Sequence, residues 1–155
     1  MEDLTPEDKA RYARHLTLPQ IGEEGQAQLK SSRVFCVGAG GLGSPALLYL
    51  AAAGIGHLTI IDDDTIERSN LQRQILHADQ DVGASKAESA MYRLRQLNPT
   101  ISLEVHSDRL TSENAMERIK GHDIVIDGTD NIPTRYLVND VCELLRIPWV
   151  YGSIY

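Results

Sequence analysis

The chain has 155 residues, of which 42% are hydrophobic and 24% are charged, a composition typical of soluble globular domains. It carries 15 lysines and arginines against 22 aspartates and glutamates, so its net charge of −7 argues against a nucleic-acid or anionic-membrane surface. No apolar run approaches the roughly 20 residues that a membrane span needs, and the start lacks the pattern of a secretory signal. We therefore expect a cytoplasmic protein that binds neither nucleic acid nor membranes.

The first 31 residues are predicted to form a helical segment. Thr5-Pro6-Glu7-Asp8 has the pattern of a helix start, because a capping residue precedes a proline and two acids in the first turn. This pattern predicts one helix that continues to about Leu16. A second, short helix is predicted over residues 23–29.

From residue 32 onward, short apolar runs alternate with helical patterns. Strands are predicted over residues 33–37, 57–62, 102–106 and 123–127, and from residue 148. Helices are predicted over residues 43–53, from about 83 to 97, from 111 or 112, and over 134–145. This alternation predicts a Rossmann-like, doubly wound α/β domain over residues 32–155, with a mainly parallel sheet of order 3-2-1-4-5 and helices on both faces. Since the sequence stops just after the last strand, we expect it to be the amino-terminal part of a longer chain.

A glycine motif marks the first strand-to-helix turn. Gly38, Gly40 and Gly43 have the G-x-G-x-x-G spacing, which lets the backbone and a helix amino terminus approach phosphate groups. Asp62 follows 19 residues after Gly43, at the end of the second strand, where a carboxylate can accept hydrogen bonds from ribose. These residues predict nucleotide binding but leave NAD and ATP equally open.

Cations beyond the motif favour ATP. Arg73 lies in a long polar connection between Asn70 and Gln74, whose amides can also meet phosphate oxygens. Lys86 falls in the first turn of a predicted helix, where a cation opposes the helix dipole, so its position indicates a ligand contact. A redox dinucleotide site has no need of these two cations.

Carboxylates follow the fourth strand, at the edge where open α/β sheets bind ligands. Asp127 is predicted either to cap its own turn or to act in the site. Asp130 lies further out, where it can hold Mg²⁺ between phosphates, since magnesium takes few carboxylates and keeps substrate oxygens as its other ligands. The next helix is predicted from Thr134, so Asp130 is not needed as its cap.

Together these motifs resemble the ubiquitin-activating-enzyme-like adenylyltransferases of the MoeB, ThiF and HesA type. The patterns that carry the resemblance are G-x-G-G-L-G at 38–43, S-N-L-Q-R-Q at 69–74, G-x-x-K at 83–86 and D-x-T-D-N at 127–131. The opening R-Y-A-R-H at 11–15 and the Asn98-Pro99 turn also fit. The resemblance implies that a homodimeric enzyme adenylates the terminal glycine of a ubiquitin-like sulfur carrier ending in Gly-Gly, with release of pyrophosphate.

The resemblance also implies roles for individual residues. Asp130 would bind Mg²⁺, and Arg14 would reach in from the other subunit, acting with Arg73 and Lys86 in catalysis. The implied ATP site consists of Gly38, Gly40, Gly41, Gly43, Asp62, Asp64, Asn70, Arg73, Gln74, Lys86, Asp130 and Asn131. The family's zinc-binding CxxC pairs and sulfur-transferring cysteine would lie beyond residue 155, and we expect Cys36 and Cys142 to be core residues.

The sequence favours this adenylation, in molybdopterin, thiamine or related sulfur-transfer biosynthesis, over three rivals. An NAD-dependent oxidoreductase explains the glycine motif but gives Arg73, Lys86 and Asp130 no role. A non-catalytic partner of a ubiquitin-like protein has no need to retain the acid and the cations. An ATP-dependent enzyme that modifies a tRNA base keeps the chemistry but suits the negative net charge less well.

Overall fold

The computed structural model describes residues 3–153. Within them, the strands are β1 (Arg33–Val37), β2 (His57–Ile61), β3 (Ser102–His106), β4 (Ile124–Asp127) and β5 (Trp149–Tyr151). The α-helices are α1 (Pro6–Arg11), α2 (Ala13–Leu16), α3 (Gly22–Ser31), α4 (Gly43–Ala53), α5 (Lys86–Leu97), α6 (Ala115–Ile119) and α7 (Ile132–Leu145). Two 3-10 turns, Arg68–Asn70 and Asp79–Asp81, lie in the polar connection between β2 and α5. None of the described helices is long and apolar enough to cross a membrane.

The strands form one parallel sheet in the order β3-β2-β1-β4-β5, which confirms the predicted Rossmann-like topology. In the centre of the sheet, Cys36 of β1 lies opposite Ile60 of β2 on one side and Ile126 of β4 on the other. The chain leaves β1 toward β2 and later returns to place β4 on the other side of β1. The strand order therefore reverses at β1, which opens a crevice at the carboxyl ends of the strands.

Each face of the sheet has its own hydrophobic core. Leu47 of α4 and Leu94 of α5 pack with Leu58 and Ile60 on one face. The other core joins α6 and α7 to β1, β2 and β4, and consists of Phe35, Val37, Ile61, Leu110, Ala115, Ile119, Val125, Val138, Val141 and Cys142. Helices thus cover both faces, as predicted, and their packing fixes the strand ends that carry the polar residues.

Both cysteines are buried, as the sequence predicted. Burial raises the pKa of the Cys36 thiol to about 12. Burial and the nearby Asp127 carboxylate raise the pKa of Cys142 to about 11. Neither thiol is therefore a thiolate near neutral pH, and a reactive cysteine needs that form.

The prediction of one helix up to Leu16 is wrong. Thr5 caps the first helix as expected, since its side chain accepts from Asp8 N at 3.1 Å, but the chain breaks at Tyr12. The Tyr12 ring is buried against Gly54, where a Cβ would collide with it, and its hydroxyl accepts from Asn98 Nδ2 at 2.8 Å. Arg11 therefore lies at the end of α1 and Arg14 in α2.

Several predicted helix starts differ from those observed. Helix α5 begins at Lys86 because Ser85 is its cap and residues 65 and 85 form an isolated antiparallel bridge. Helix α6 begins at Ala115, after Asn114 Oδ1 accepts from Thr111 N at 2.8 Å in the preceding turn. Helix α7 begins two residues earlier than predicted, at Ile132.

Candidate functional site

A cleft of about 640 Å³ lies at the carboxyl ends of the strands. It gathers most of the predicted site residues from five separate stretches of the chain. These are Gly38, Gly40, Gly41, Asp62, Asp64, Arg73, Gln74, Lys86, Asp130 and Asn131. Gly43, Asn70 and Arg14 are not among the residues that line it.

The glycine loop between β1 and α4 is shaped by close backbone approaches. Gly38 has a φ of +92°, and a Cβ there would lie 3.3 Å from the Gly128 carbonyl oxygen. A Cβ on Gly43 would collide with the Gly38 carbonyl. Gly40 and Gly41, in contrast, have only the side chains of Gln74 and Arg73 nearby. Gly38 and Gly43 therefore shape the loop, while the two glycines between them leave space along the cleft.

Replacing Gly43 with alanine should lower the free energy of unfolding by about 2 kcal/mol, because the new methyl group forces the loop away from the Gly38 carbonyl. Denaturant unfolding measures the change. Gly25→Ala, inside α3, is the matched control. The nearest atoms to its methyl group belong to the Ile21 side chain, at 3.2 Å, and the Gln20 carbonyl, at 3.9 Å. Equal stability of the two variants would contradict the close packing of this loop.

Asp62 fastens the loop to the second strand. Its Oδ2 accepts from Ala39 N at 2.7 Å, and its Oδ1 accepts from Asp64 N at 2.9 Å. Burial raises the pKa of Asp62, and these two backbone donors oppose that effect. Because each carboxylate oxygen has a second lone pair, Asp62 can still accept from a ribose hydroxyl at the cleft wall.

Lys86 is buried, with only 5% of its surface exposed. Its Nζ donates to Asp64 Oδ2 at 2.7 Å, and the Asp64 side chain is 66% exposed. The ammonium therefore lies at the cleft wall, held by a carboxylate that is free to move into solvent. A phosphate oxygen that reached this point could replace Asp64 as the acceptor.

The three residues predicted around Arg73 have different environments. Arg73 is exposed in the cleft, and its Nη1 donates to Ser69 O at 3.4 Å. Gln74 is 3% exposed, and its Oε1 is buried without a partner in the described part of the chain. Asn70 Oδ1 accepts from Glu67 N at 3.0 Å, so this side chain caps a 3-10 turn. Of the three, Arg73 alone is charged, and its side chain is exposed in the cleft.

The loop after β4 separates a buried acid from an exposed one. Asp127 Oδ1 accepts from the backbone and hydroxyl of Thr129 at 2.9 and 2.6 Å, as expected for a turn-capping residue. Asp130 is exposed at the cleft, while Asn131 caps α7 by accepting from Thr134 N at 3.0 Å. An accessible carboxylate in a cleft that also holds cations has the chemistry to bind magnesium together with a nucleotide, whose phosphates supply most of the metal's ligands.

Asp63, which was not among the predicted site residues, lies between two that were, Asp62 and Asp64. Oxygens of Asp62, Asp63 and Asp64 lie within 4.8 Å of one another. Asp62 already accepts from two backbone amides, and Asp64 accepts from Lys86. The observed contacts therefore give this group a role in holding the loop and the lysine in place.

Arg135 is a cleft residue that the sequence analysis missed. Its Nη2 donates to Thr129 O at 2.8 Å and to Gly152 O at 3.2 Å, and its Nη1 donates to Ser153 Oγ at 3.0 Å. It thereby ties the loop after β4 to the residues after β5. Its position in the first turn of a helix is unfavourable for a cation, and this is the same signal that singled out Lys86.

Arg14 lies away from this cleft. Its helix neighbour His15 contacts Gln26 Oε1 at 2.8 Å, and Gln26 Nε2 donates to Ala53 O at the end of α4. The end of α4 lies at the amino edge of the sheet, because the helix runs back from the glycine loop over roughly 16 Å. Arg14 is exposed at this edge and does not meet the cleft of its own chain.

His77, which was not among the predicted site residues either, contacts the glycine loop from outside the cleft. It is 7% exposed; its Nε2 lies 3.0 Å from Ala39 O, and its Nδ1 lies 3.0 Å from Ser89 Oγ. Ser89 belongs to α5, the helix that begins with Lys86. A histidine in a loop gives no periodic signal, so its contact with the glycine motif is visible only in the folded chain.

Lowering the pH from 7.5 to 5.5 should reduce the free energy of unfolding. Burial lowers the pKa of His57, His77 and His122 in the folded protein, whereas unfolded histidine titrates near 6.5. The unfolded chain then binds more protons below about pH 6.5, and stability falls toward the lowered folded-state pKa values. Denaturant unfolding at several pH values in this range measures the change. His122→Gln removes one of these histidines and should make the free energy of unfolding depend less on pH. A free energy of unfolding that rises as the pH falls would contradict this prediction.

A parallel sheet with a glycine loop, cations and a carboxylate at its switch point defines a nucleotide-binding protein of the Rossmann-like class. The family model described as "ThiF family" matches residues 12–155, and the chain belongs to that family. This confirms the resemblance drawn from the motifs.

Curated relatives and solved structures agree with this assignment. The chain is 55% identical over 145 residues to the SAMP-activating enzyme E1 of Haloferax volcanii, covering 94% of this chain and 54% of that protein. It is 52% identical over 151 residues to the sulfur carrier protein adenylyltransferase of Thermus thermophilus, covering 97% and 56%. The E. coli tRNA N6-threonylcarbamoyladenosine dehydratase TcdA, solved with AMP, superposes with a TM-score of 0.91 at 30% identity, covering 100% and 65%. The chain thus spans little more than half the length of the two curated relatives.

Proposed function

We propose that this protein uses Mg²⁺–ATP to adenylate the C-terminal glycine carboxylate of a ubiquitin-like sulfur-carrier protein, with release of pyrophosphate. The observation that carries the proposal is the cleft itself. It combines a glycine loop with the cations Arg73 and Lys86 and the exposed carboxylate of Asp130. A hydride-transfer site has no use for that combination.

In the proposed reaction, the carrier's carboxylate attacks the α-phosphorus of ATP and pyrophosphate leaves. No side chain of the enzyme needs to form a covalent bond, so catalysis depends on positioning and charge neutralisation. Arg73 and Lys86 neutralise phosphate charge, the glycine loop presents backbone N–H groups, and Asp62 accepts from ribose. Asp130 would hold Mg²⁺, which would supply further charge neutralisation in the site.

Lys86 enters this scheme through its ion pair with Asp64. The pair keeps the lysine oriented in the buried cleft wall before the nucleotide arrives. When phosphate reaches the ammonium, Asp64 is free to turn outward, because most of its side chain is already in solvent. The lysine then exchanges one anionic partner for another and is never left buried without a counter-charge.

The proposal includes a homodimer in which Arg14 completes the cleft of the other subunit. Arg14 lies at the amino edge of its own sheet, so its own cleft is out of reach. A neighbouring arginine that meets transferring phosphate can be worth several powers of ten in rate. Arg14 would thus act together with Arg73, Lys86 and Asp130.

The name of one relative supports this acceptor, since the Thermus thermophilus protein is a sulfur carrier protein adenylyltransferase. We place the reaction in the cytoplasm, in molybdopterin, thiamine or related sulfur transfer. We also propose that an amino-terminal segment, residues 1–31, and a nucleotide-binding domain, residues 32–155, precede a zinc-binding part. The tRNA dehydratase among the solved structures makes a tRNA base the second candidate acceptor, and the net charge of −7 weighs against it.

ATP–pyrophosphate exchange against a panel of acceptors tests the proposal. A sulfur carrier ending in Gly-Gly should stimulate exchange, while the same carrier without its last two residues and a tRNA should not. Exchange stimulated by tRNA alone would favour the second candidate. ATP binding without exchange would indicate a non-catalytic partner, and a nicotinamide spectral change would indicate an oxidoreductase.

A further inference from the structure

The peptide groups on either side of Ala39 are held by three side chains. Ala39 N donates to Asp62 Oδ2 at 2.7 Å. Ala39 O accepts from Ser44 Oγ at 3.0 Å and lies 3.0 Å from His77 Nε2. Ala39 is itself fully buried, between the first two glycines of the motif. The orientation of the loop therefore depends on groups outside the motif.

The hydrogen-bond partners of His77 determine which ring nitrogen carries the proton. A carbonyl oxygen only accepts, so Nε2 must donate to Ala39 O. In the neutral ring, Nδ1 is then an acceptor 3.0 Å from the hydroxyl of Ser89, three residues after Lys86 in α5. The same hydroxyl lies 3.3 Å from Asp81 Oδ2, so its one proton serves both acceptors. His77 thus connects the glycine loop directly to the helix that presents the cleft lysine.

We propose that His77 is a positioning residue, which sets the glycine loop relative to α5 so that loop N–H groups and Lys86 meet the phosphates of one ATP molecule. This inference rests on the proposed use of ATP. His77 itself does not line the cleft. It acts through Ala39 on one side and Ser89 on the other.

His122 provides a matched control elsewhere in the fold. It is 8% exposed, against 7% for His77. Its Nδ1 lies 3.0 Å from Ile119 O and its Nε2 lies 2.8 Å from Thr59 Oγ1, so it too joins a backbone carbonyl to a hydroxyl. His122 does not line the cleft. A purely structural role therefore predicts the same outcome for both histidines.

Titration calorimetry with ATP and with adenosine, on purified full-length protein, separates positioning from stability. His77→Leu should raise the Kd for ATP about fivefold, the effect of one lost hydrogen bond, and leave the Kd for adenosine unchanged. His77→Gln keeps an amide donor for Ala39 O and should restore most of the ATP affinity. His122→Leu should lower the unfolding midpoint as His77→Leu does but leave both affinities as in the wild type.

Ser89→Ala removes the hydroxyl that His77 contacts in α5, and it tests the same inference if His77→Leu does not fold. This variant should also lose more affinity for ATP than for adenosine. Equal losses for ATP and adenosine, or wild-type ATP affinity in the folded His77 and Ser89 variants, would overturn the inference. So would a matching loss of ATP affinity in His122→Leu. Wild-type protein that binds ATP but gives no exchange with any carrier overturns the proposed function and leaves this inference standing.

Discussion

Replacing Asp130 with alanine should lower ATP–pyrophosphate exchange by roughly a hundredfold to a thousandfold while the protein stays folded. The carboxylate is exposed at the cleft. The neighbouring helix start does not depend on it, because Asn131 caps α7. The loss should therefore appear in catalysis and in the response to Mg²⁺, with the unfolding midpoint nearly unchanged.

Two further variants sharpen this measurement. Asp140→Ala removes an exposed acid of α7 that does not line the cleft, and its exchange rate should match the wild type. Asp130→Asn keeps an oxygen ligand but loses the charge, so its exchange rate should recover only when the Mg²⁺ concentration is raised. Near-normal exchange by Asp130→Ala at saturating Mg²⁺ would contradict the metal role.

Mixing two inactive variants, Arg14→Ala and Asp130→Ala, should restore activity if the proposed dimer shares its sites. Random pairing gives half mixed dimers, each with one intact site formed by Arg14 of one chain and Asp130 of the other. Recovery should reach about a quarter of the wild-type rate if each defect is complete.

Lys9→Ala is a suitable control for the amino-terminal segment. Lys9 is an exposed cation that pairs with Glu23, and such surface pairs contribute little to stability. That variant should remain active by itself. If mixing gives no recovery although labelled subunits are seen to exchange, Arg14 acts within its own chain or takes no part in the reaction.

The sheet was predictable because its signals are local. Each strand is a short apolar run, and Gly38 and Gly43 occupy the turn where only glycine fits the backbone approach. The strand order follows from the alternation of strands and helices, which permits few topologies. These features require no knowledge of distant contacts.

The features that were predicted wrongly or not foreseen depend on tertiary contacts. Tyr12 breaks the first helix because its ring packs on Gly54 and its hydroxyl meets Asn98, 42 and 86 residues away in sequence. The pairing of Lys86 with Asp64 needs the bridge that brings residues 65 and 85 together. Sequence spacing alone cannot supply such contacts.

The candidate site shows the same division. Charged residues such as Arg73, Lys86 and Asp130 could be selected because they follow strands or oppose a helix dipole. Arg135 carries the same helix-start signal as Lys86 but was not selected. His77, in contrast, acts through a backbone carbonyl of another loop. A carbonyl is present at every position, so no residue pattern marks the one that is bound.

The most direct test of the proposed adenylation follows a labelled phosphate from ATP into the product. The wild-type protein is incubated with Mg²⁺, a sulfur carrier ending in Gly-Gly, and ATP labelled at either the α- or the γ-phosphate. We expect α-label alone to appear on the carrier, at its C-terminal glycine, in a hydroxylamine-sensitive linkage. Label from the γ-phosphate on the carrier, or no transfer of α-label, would contradict it.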